Sequence, residues 1–266
     1  MIKIDKDLSA VPNSLNKGTV KSKRNGVISN GYPTSNSKSS KKDKDKVKKY
    51  DKHFKQKDTR DKLDIIYHSK CAFCEKKINK SNEENIVNKD EKNHSIDHYR
   101  PKSQYPWLAY SWDNLVWCCV ECNKNKGNAF DIKNAKVLLD KKSFYEKIHK
   151  SIKEYNDIEK PKMIHPELED VVDKLIFDEN GNISSDDDRI NYTIETCELD
   201  RPYLNSQRKK VLDEFKQKYN AKLIEDESLA REIIVNFLKI VSRDDIEFKA
   251  FHHWIENNLD RLLTNN

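Results

Sequence analysis

Three short stretches decide how this chain is read: CAFCE at residues 71–75, SIDHYRPK at 95–102 and WDNLVWCCVECNKNKG at 112–127. The outer two carry the pairs Cys71/Cys74 and Cys119/Cys122, each with two residues between its cysteines. Thiolates at that spacing converge on one tetrahedral zinc ion at about 2.3 Å when the backbone turns sharply between them. A single pair also serves redox chemistry, but two pairs point to one zinc ion held by four cysteines. The 44 residues between the pairs exceed what a compact zinc ribbon needs, so another unit is inserted between the knuckles. Cys118 should point away from a ligand at 119 in an extended segment, and Cys197 lies on an apolar helical spacing; both read as core. The competing reading is four unrelated reduced core cysteines.

The insertion holds residues suited to phosphodiester hydrolysis, which needs an activated water and neutralised charge on the phosphate and the leaving oxygen. A histidine with a pKa near neutrality is a good general base, and His98 is the candidate. Asp97 and the amide oxygen of Asn123 are suitable ligands for a hard divalent cation. Adjacent strand residues point to opposite faces, so Asp97 and His98 meet one phosphate only if the strand twists or the ion sits at its end. His98 also reads as a satisfied strand histidine, Asn114 as a turn cap, and Asn123 as the cap of the helix that Cys122 opens. Trp107, Trp112 and Trp117 read as core rather than a base-stacking platform. His165, before Pro166, reads as a turn residue, and His252 and His253 as structural or partner-facing.

With Cys71-x-x-Cys74, Asp97-His98, Arg100-Pro101-Lys102, Asn114 and Cys119-x-x-Cys122-Asn123 quoted, the chain resembles the HNH nucleases, in the form flanked by two Cys-x-x-Cys pairs. It is similar in particular to the HNH component of Septu-type two-gene antiphage systems, also found beside some retrons. The resemblance spans roughly residues 50–215 and is more specific over 71–127 than after 160. It implies an α+β fold: a ββα-metal core with a structural zinc knuckle, surrounded by mostly helical N- and C-terminal extensions. It implies His98 as general base, Asp97 and Asn123 as ligands of a catalytic Mg²⁺ or Mn²⁺, and Asn114 as a brace for the histidine strand. The family often has His where Asn123 stands, which lowers the expectation of Zn²⁺ or Ni²⁺ in the catalytic site. Arg100, Lys102 and Lys126 are candidate phosphate contacts. The resemblance also implies a nucleic-acid substrate, DNA more than RNA, and an SMC-like or ABC-type ATPase partner.

Outward from this core the chain is polar. Of 266 residues, 35% are hydrophobic and 36% charged, so the core is modest and the surface heavily solvated. No apolar run reaches the roughly 18–20 residues a bilayer requires. With no apolar leader at the N-terminus either, the expected location is the bacterial cytoplasm. Six cysteines there argue for metal or free thiols rather than disulfides. The net charge of +6 is concentrated: residues 38–62 hold twelve Lys/Arg and five Asp/Glu, an excess of +7, leaving −1 elsewhere. A basic segment beside a neutral body suits a polyanion, and equally a solvated linker.

The composition divides the chain into a basic, disordered or partner-binding arm (1–49), the zinc-stapled nuclease core (50–130), a polar linker with a hairpin (131–200) and a helical region (201–266). No packed core is expected before Tyr50. Leu175–Phe177 followed by Asn180-Gly181 reads as the hairpin. Ile190, Ile194 and Cys197, then Leu229, Ile233, Phe237 and Val241, then Phe248, Phe251 and Ile255 read as helical core faces. The readings to separate are an HNH endonuclease with an ATPase partner, a stand-alone restriction-type HNH enzyme, and a zinc module that only binds nucleic acid. No sequence-reading finger or helix-turn-helix supports the second.

Overall fold

A computed structural model describes residues 1–36, 38–78, 94–137, 149 and 151–264. The expected polar linker therefore lies partly outside the described residues, at 138–148 and 150.

The central unit is a two-stranded antiparallel hairpin, β1 (His94–His98) on β2 (Leu115–Cys119), running straight into helix α5 (Val120–Lys126). Its register pairs His94 with Cys119, Asp97 with Val116 and His98 with Leu115. All five residues of β2 are buried, as a strand covered on both faces requires. Cys119 ends the strand and caps the helix, its sulfur accepting the Cys122 N–H at 3.4 Å. Gly127 stops the helix at φ +49°, where a side chain is disfavoured.

Among the described residues, four helices precede β1: α1 (Asn13–Asn16), α2 (Gly18–Asn30), α3 (Lys41–Asp51) and α4 (Lys57–Ile66). The first two overturn the expectation of no packed core before Tyr50. Leu15, Val20 and Val27 are fully buried, and α2 packs against the short 3-10 turn Pro106–Leu108. Apolar residues are sparse here, but they occur where the helix meets the aromatic 105–112 loop. Arg24, also buried, reaches the Tyr110 carbonyl at 3.3 Å. The basic helix α3 buries nothing and is a solvated face.

After α5 come α6 (Ile152–Glu159), a second hairpin of β3 (Ile176–Phe177) and β4 (Ile183–Ser184), and α7 (Asp188–Thr196). The hairpin turns at Gly181, φ +80°, where an added Cβ would stand 2.3 Å from the Asn205 carbonyl oxygen. Only glycine fits that approach. The chain ends in α8 (Pro202–Glu225), α9 (Glu227–Val241), α10 (Lys249–Asn257) and α11 (Leu259–Thr264). Phe237 and Val241 of α9 and Phe251 and Ile255 of α10 are buried, as their spacing predicts. Phe237 meets Phe215 of α8 at a ring separation of 4.4 Å.

Candidate metal and nuclease site

The four sulfurs of Cys71, Cys74, Cys119 and Cys122 all lie within 4.8 Å of one another, and all four residues are buried. A tetrahedral zinc–tetrathiolate centre with bonds near 2.3 Å separates its sulfurs by about 3.8 Å; Cys74 Sγ and Cys119 Sγ are 3.8 Å apart. The donor set and its dimensions fit zinc. The Ala72 N–H bonds the Trp117 carbonyl at 2.8 Å, tying the first knuckle to β2 beside the second. Cys118 does not turn away as expected: its buried thiol lies 3.8 Å from Cys71 Sγ. Thiol donors, Cys118 first, push the Cys119 thiol well below its ordinary pKa, while neighbouring thiols, Cys119 first, push Cys74 and Cys122 well above theirs. Sequence reasoning missed Arg201, whose guanidinium nitrogens stand 3.6 and 3.7 Å from Cys122 Sγ while pairing Glu121 at 2.9 Å. Its only signal in the sequence is its place before Pro202, a residue suited to the first turn of a helix.

On the face of β1 toward α5, Lys126 Nζ lies 3.1 Å from Asp97 Oδ2 and donates to the His98 carbonyl at 2.8 Å. Asn123, one turn earlier on α5, donates its amide N–H to Ser95 Oγ. Asp97 Oδ2 is buried and, among the described residues, is met by the Lys126 ammonium as an ion pair and by no other polar group. Burial pushes the Asp97 carboxyl up, against the pull of Lys126. A buried carboxylate oxygen without a donor, on the same strand face as an amide, fits a hard divalent cation, provided Lys126 yields its place.

His98 is on the other face. β1 stays regular through this residue, and the next N–H, of Tyr99, still bonds the Asn114 carbonyl at 2.9 Å. The unbroken register keeps Asp97 and His98 on opposite faces of the strand. The imidazole is buried, edge-on to Phe54 at 4.6 Å, and its Nε2–H donates to the Ala109 carbonyl at 2.9 Å. Burial first, then the nearby Lys102 charge, lowers its pKa to about 3, so the ring is neutral at physiological pH. Asn114 touches both sides of the loop after β1: Oδ1 accepts the Arg100 N–H at 2.8 Å, and Nδ2 donates to the Arg100 and Leu108 carbonyls at 3.1 and 3.2 Å.

The three candidate phosphate contacts are otherwise engaged. Arg100 is fully buried, with Nε and Nη2 on Glu159 at 3.0 and 2.8 Å, enclosed by the rings of Tyr99, Tyr105, Phe130 and Tyr155. That pairing corrects its expected role, because a guanidinium so enclosed has no solvent face for a phosphate. Lys126 is corrected likewise, being spent on Asp97 and the strand carbonyl. Lys102 keeps a partly exposed side chain, but its ammonium pairs Asp51 at 2.6 Å above the rings of Tyr32 and Phe54.

A second buried polar group was invisible in the sequence. Lys6, its side chain wholly buried, donates to the Trp112 and Leu115 carbonyls at 2.7 and 2.6 Å and pairs Glu167 at 3.0 Å. Tyr67 also donates to Glu167, and Asp113 Oδ2 receives the N–H groups of Ser151 and Ile152. His165, expected in a turn, is buried against Tyr99 at 4.2 Å. These contacts fasten the N-terminal segment and the 149–167 stretch to the hairpin loop. Their residues lie far apart in sequence and form no spaced motif.

Residues 71–129 match the family model for HNH endonuclease. The chain carries an HNH endonuclease domain. It is similar to Septu protein PtuB of Bacillus mycoides, 32% identical over 95 residues, covering 30% of this chain and 29% of that protein. A Septu protein PtuB of Bacillus thuringiensis is 32% identical over 60 residues, 23% of this chain and 20% of that one. Septu protein PtuA of Bacillus mycoides aligns over 164 residues at 26% identity, 56% of this chain and 20% of its own length. The chain thus spans less than a third of each curated relative. The HNH match contains the hairpin, α5 and all four cluster cysteines. No helix among the described residues is long and apolar enough to cross a membrane.

Proposed function

We propose that this chain is a metal-dependent HNH endonuclease that hydrolyses phosphodiester bonds, in DNA rather than RNA, as the effector of a two-gene antiphage system with an ATPase partner. The observation that carries the reading is the β1–β2–α5 unit, which brings Asn123 and Lys126 of α5 against the face of β1 that carries Asp97, with the four-sulfur cluster in the same HNH match. Zinc would be held by Cys71, Cys74, Cys119 and Cys122 and contributes folding energy, since a ββα unit this small buries little apolar area. Mg²⁺ or Mn²⁺ would be held by Asp97 and Asn123, and supplies charge stabilisation at the phosphate and leaving oxygen.

His98 is the base in this scheme, and its neutral ring is in the right state to take a proton from water. To do so it must leave the Ala109 carbonyl, and the α3–α4 corner carrying Phe54 must open. Asn114 keeps the loop after β1 in place while that happens. We assign the ATPase contact to the C-terminal helices, where α9 leaves Val235 and Ile240 exposed.

The closed setting of His98 also favours a second reading, a zinc module that binds nucleic acid without cutting it. One experiment separates them: purified protein is incubated with plasmid DNA and with total RNA, with Mg²⁺ or Mn²⁺, beside His98→Ala. Cleavage of DNA by the parent, lost in a His98→Ala protein that keeps zinc and melts normally, supports the nuclease. No cleavage by the parent with any metal, alone or with its ATPase, sinks it. Val235→Asp/Ile240→Asp should abolish co-purification with the ATPase; undiminished recovery removes the assigned contact.

A further inference from the structure

Away from the HNH residues, a pocket of about 440 Å³ opens beside α6, the 160–162 turn and the start of α7. Lys133, Lys153, Lys160, Lys162 and Arg189 line it against Asp157 and Glu169, five positive charges to two negative. Arg189 is tied to Glu169 at 2.6 Å, while Lys160 and Lys162 reach acids only at 4.0 and 3.5 Å, on exposed side chains. Among the described residues Lys133 and Lys153 form no ion pair. Such lysines keep most of their charge available, because exposed pairs at these distances are worth little. Pro161 and Leu168 give the pocket an apolar floor.

The lysines are carried on fixed backbone. Residues 131–134 and 159–162 pair through an isolated bridge at Ile132 and Pro161, with N–H···O bonds from Lys133 to Lys160 and from Lys162 to Asp131 at 3.1 and 2.8 Å. Glu159, next to Lys160, is the buried partner of Arg100, two residues beyond His98. That ion pair ties the backbone beside the pocket to the end of β1. A strand of nucleic acid gripped here would therefore be held at a set distance from the HNH residues.

We propose that this pocket is a second nucleic-acid contact, in which Lys133, Lys153, Lys160 and Lys162 neutralise successive phosphates of the substrate strand. The assignment deepens the nuclease reading and rests on it for the identity of the polyanion. Each phosphate neutralised releases counterions, so removing one lysine–phosphate pairing lowers the salt dependence of binding by about 0.7–0.9 in the log–log slope. A free nucleotide offers the same phosphate chemistry, and the test separates the two sources.

Binding of a labelled oligonucleotide is measured by fluorescence anisotropy across a salt series, using full-length His98→Ala protein so that cleavage does not interfere. Adding Lys133→Ala and Lys153→Ala should raise Kd about tenfold and flatten the slope by about 1.5, the share of two phosphates. The matched pair Lys209→Ala and Lys210→Ala, exposed on α8, should change Kd by less than about twofold. All four lysines are exposed, and matched melting curves show that folding is untouched. Equal losses from both pairs, or none from the first, overturn the proposal. So does a free mononucleotide that competes as well as the oligonucleotide, since the pocket is then a nucleotide site. A parent enzyme that fails to cut while the pocket pair still loses binding selectively would sink the cleavage reading alone.

Discussion

The cysteine cluster and the HNH residues began as equally clear sequence patterns, and the fold treats them in opposite ways. Four sulfurs from two distant knuckles arrive within 4.8 Å of one another, whereas two adjacent residues, Asp97 and His98, are sent to opposite faces of one strand. The difference is local geometry. A Cys-x-x-Cys turn needs only its own backbone to aim both thiolates at one point, and Cys119 does so while capping α5. A dipeptide in a strand is divided by the pleat, and only twist or an opening of the strand reunites it. Spacing motifs that turn on themselves specify a site; motifs laid along a strand specify two surfaces.

The largest expected effect tests the converging half. Cys122→Ser removes a ligand from the cluster and leaves the Arg201 guanidinium without its sulfur partner. Structural zinc in such sites contributes on the order of 10 kcal/mol to folding, as much as a typical domain's whole stability. The variant should lose its metal, measured by elemental analysis, and its near-UV circular dichroism at room temperature. A Cys122→Ser protein that melts within a few degrees of the parent would show the sulfurs to be neighbours only.

The divided half is probed by Lys126→Met. It strands the buried Asp97 carboxylate, and breaking a buried pair costs about 3–5 kcal/mol. At about 2–4 °C per kcal/mol, the melting temperature should fall by roughly 10 °C. If the ammonium occupies the cation's place, millimolar Mg²⁺ should restore more stability to Lys126→Met than it adds to the parent. An equal Mg²⁺ response in both would place the cation elsewhere.

The convergence of four sulfurs was legible in the sequence, because two Cys-x-x-Cys turns each aim their thiols at one point. The β1–β2–α5 unit was legible through the resemblance, the second hairpin through Asn180-Gly181, and the core faces of α9 and α10 through apolar spacing. What the sequence hid were contacts between distant polar residues: Lys6 with Glu167, Arg100 with Glu159, Arg201 with Cys122. Each is a charged residue that composition assigns to solvent, and each is buried only because a remote partner meets it. The same blindness made Arg100 a phosphate contact, whereas residues 1–49 were put outside the core because their few apolar residues are too sparse to show a face.

A smaller effect asks whether His98 differs from an ordinary buried histidine. His165 has the same traits: burial, a ring against an aromatic, and a pKa held well below 6.5 by burial first. The unfolded chain protonates such a residue below about pH 6.5 while the folded chain does not, so the unfolded state binds more protons and stability is lost as the pH is lowered. The loss begins near pH 6.5 and, for His149, held near 4, runs down to that value. Each group approaches about 1.4 kcal/mol per pH unit in its window. Urea unfolding at pH 7 and pH 5 should show His165→Gln losing less stability than the parent by about that amount per unit. Parallel losses in both proteins would mean that His165 protonates without unfolding.

The smallest effect concerns the cover over His98. Asp51 holds Lys102 at 2.6 Å, the side chains being 15% and 28% exposed, and Lys55 shares the same carboxylate at 2.8 Å. Lysine ammonium groups pull the Asp51 carboxyl down to about 2 in spite of its burial, so the anion persists at every working pH. A partly exposed pair of this kind is worth about 0.5–1 kcal/mol, so Asp51→Asn should lower the melting temperature by only a few degrees. Its kinetic effect should have the opposite sign. Lys102 is freed for phosphate, and the corner that closes Phe54 over the imidazole loses one of its ties. Oligonucleotide affinity should rise about two- to threefold, and cleavage, where the parent cuts, should quicken with it. Affinity and rate that both fall with the melting temperature would mean that Asp51 supports the site and does not restrain it.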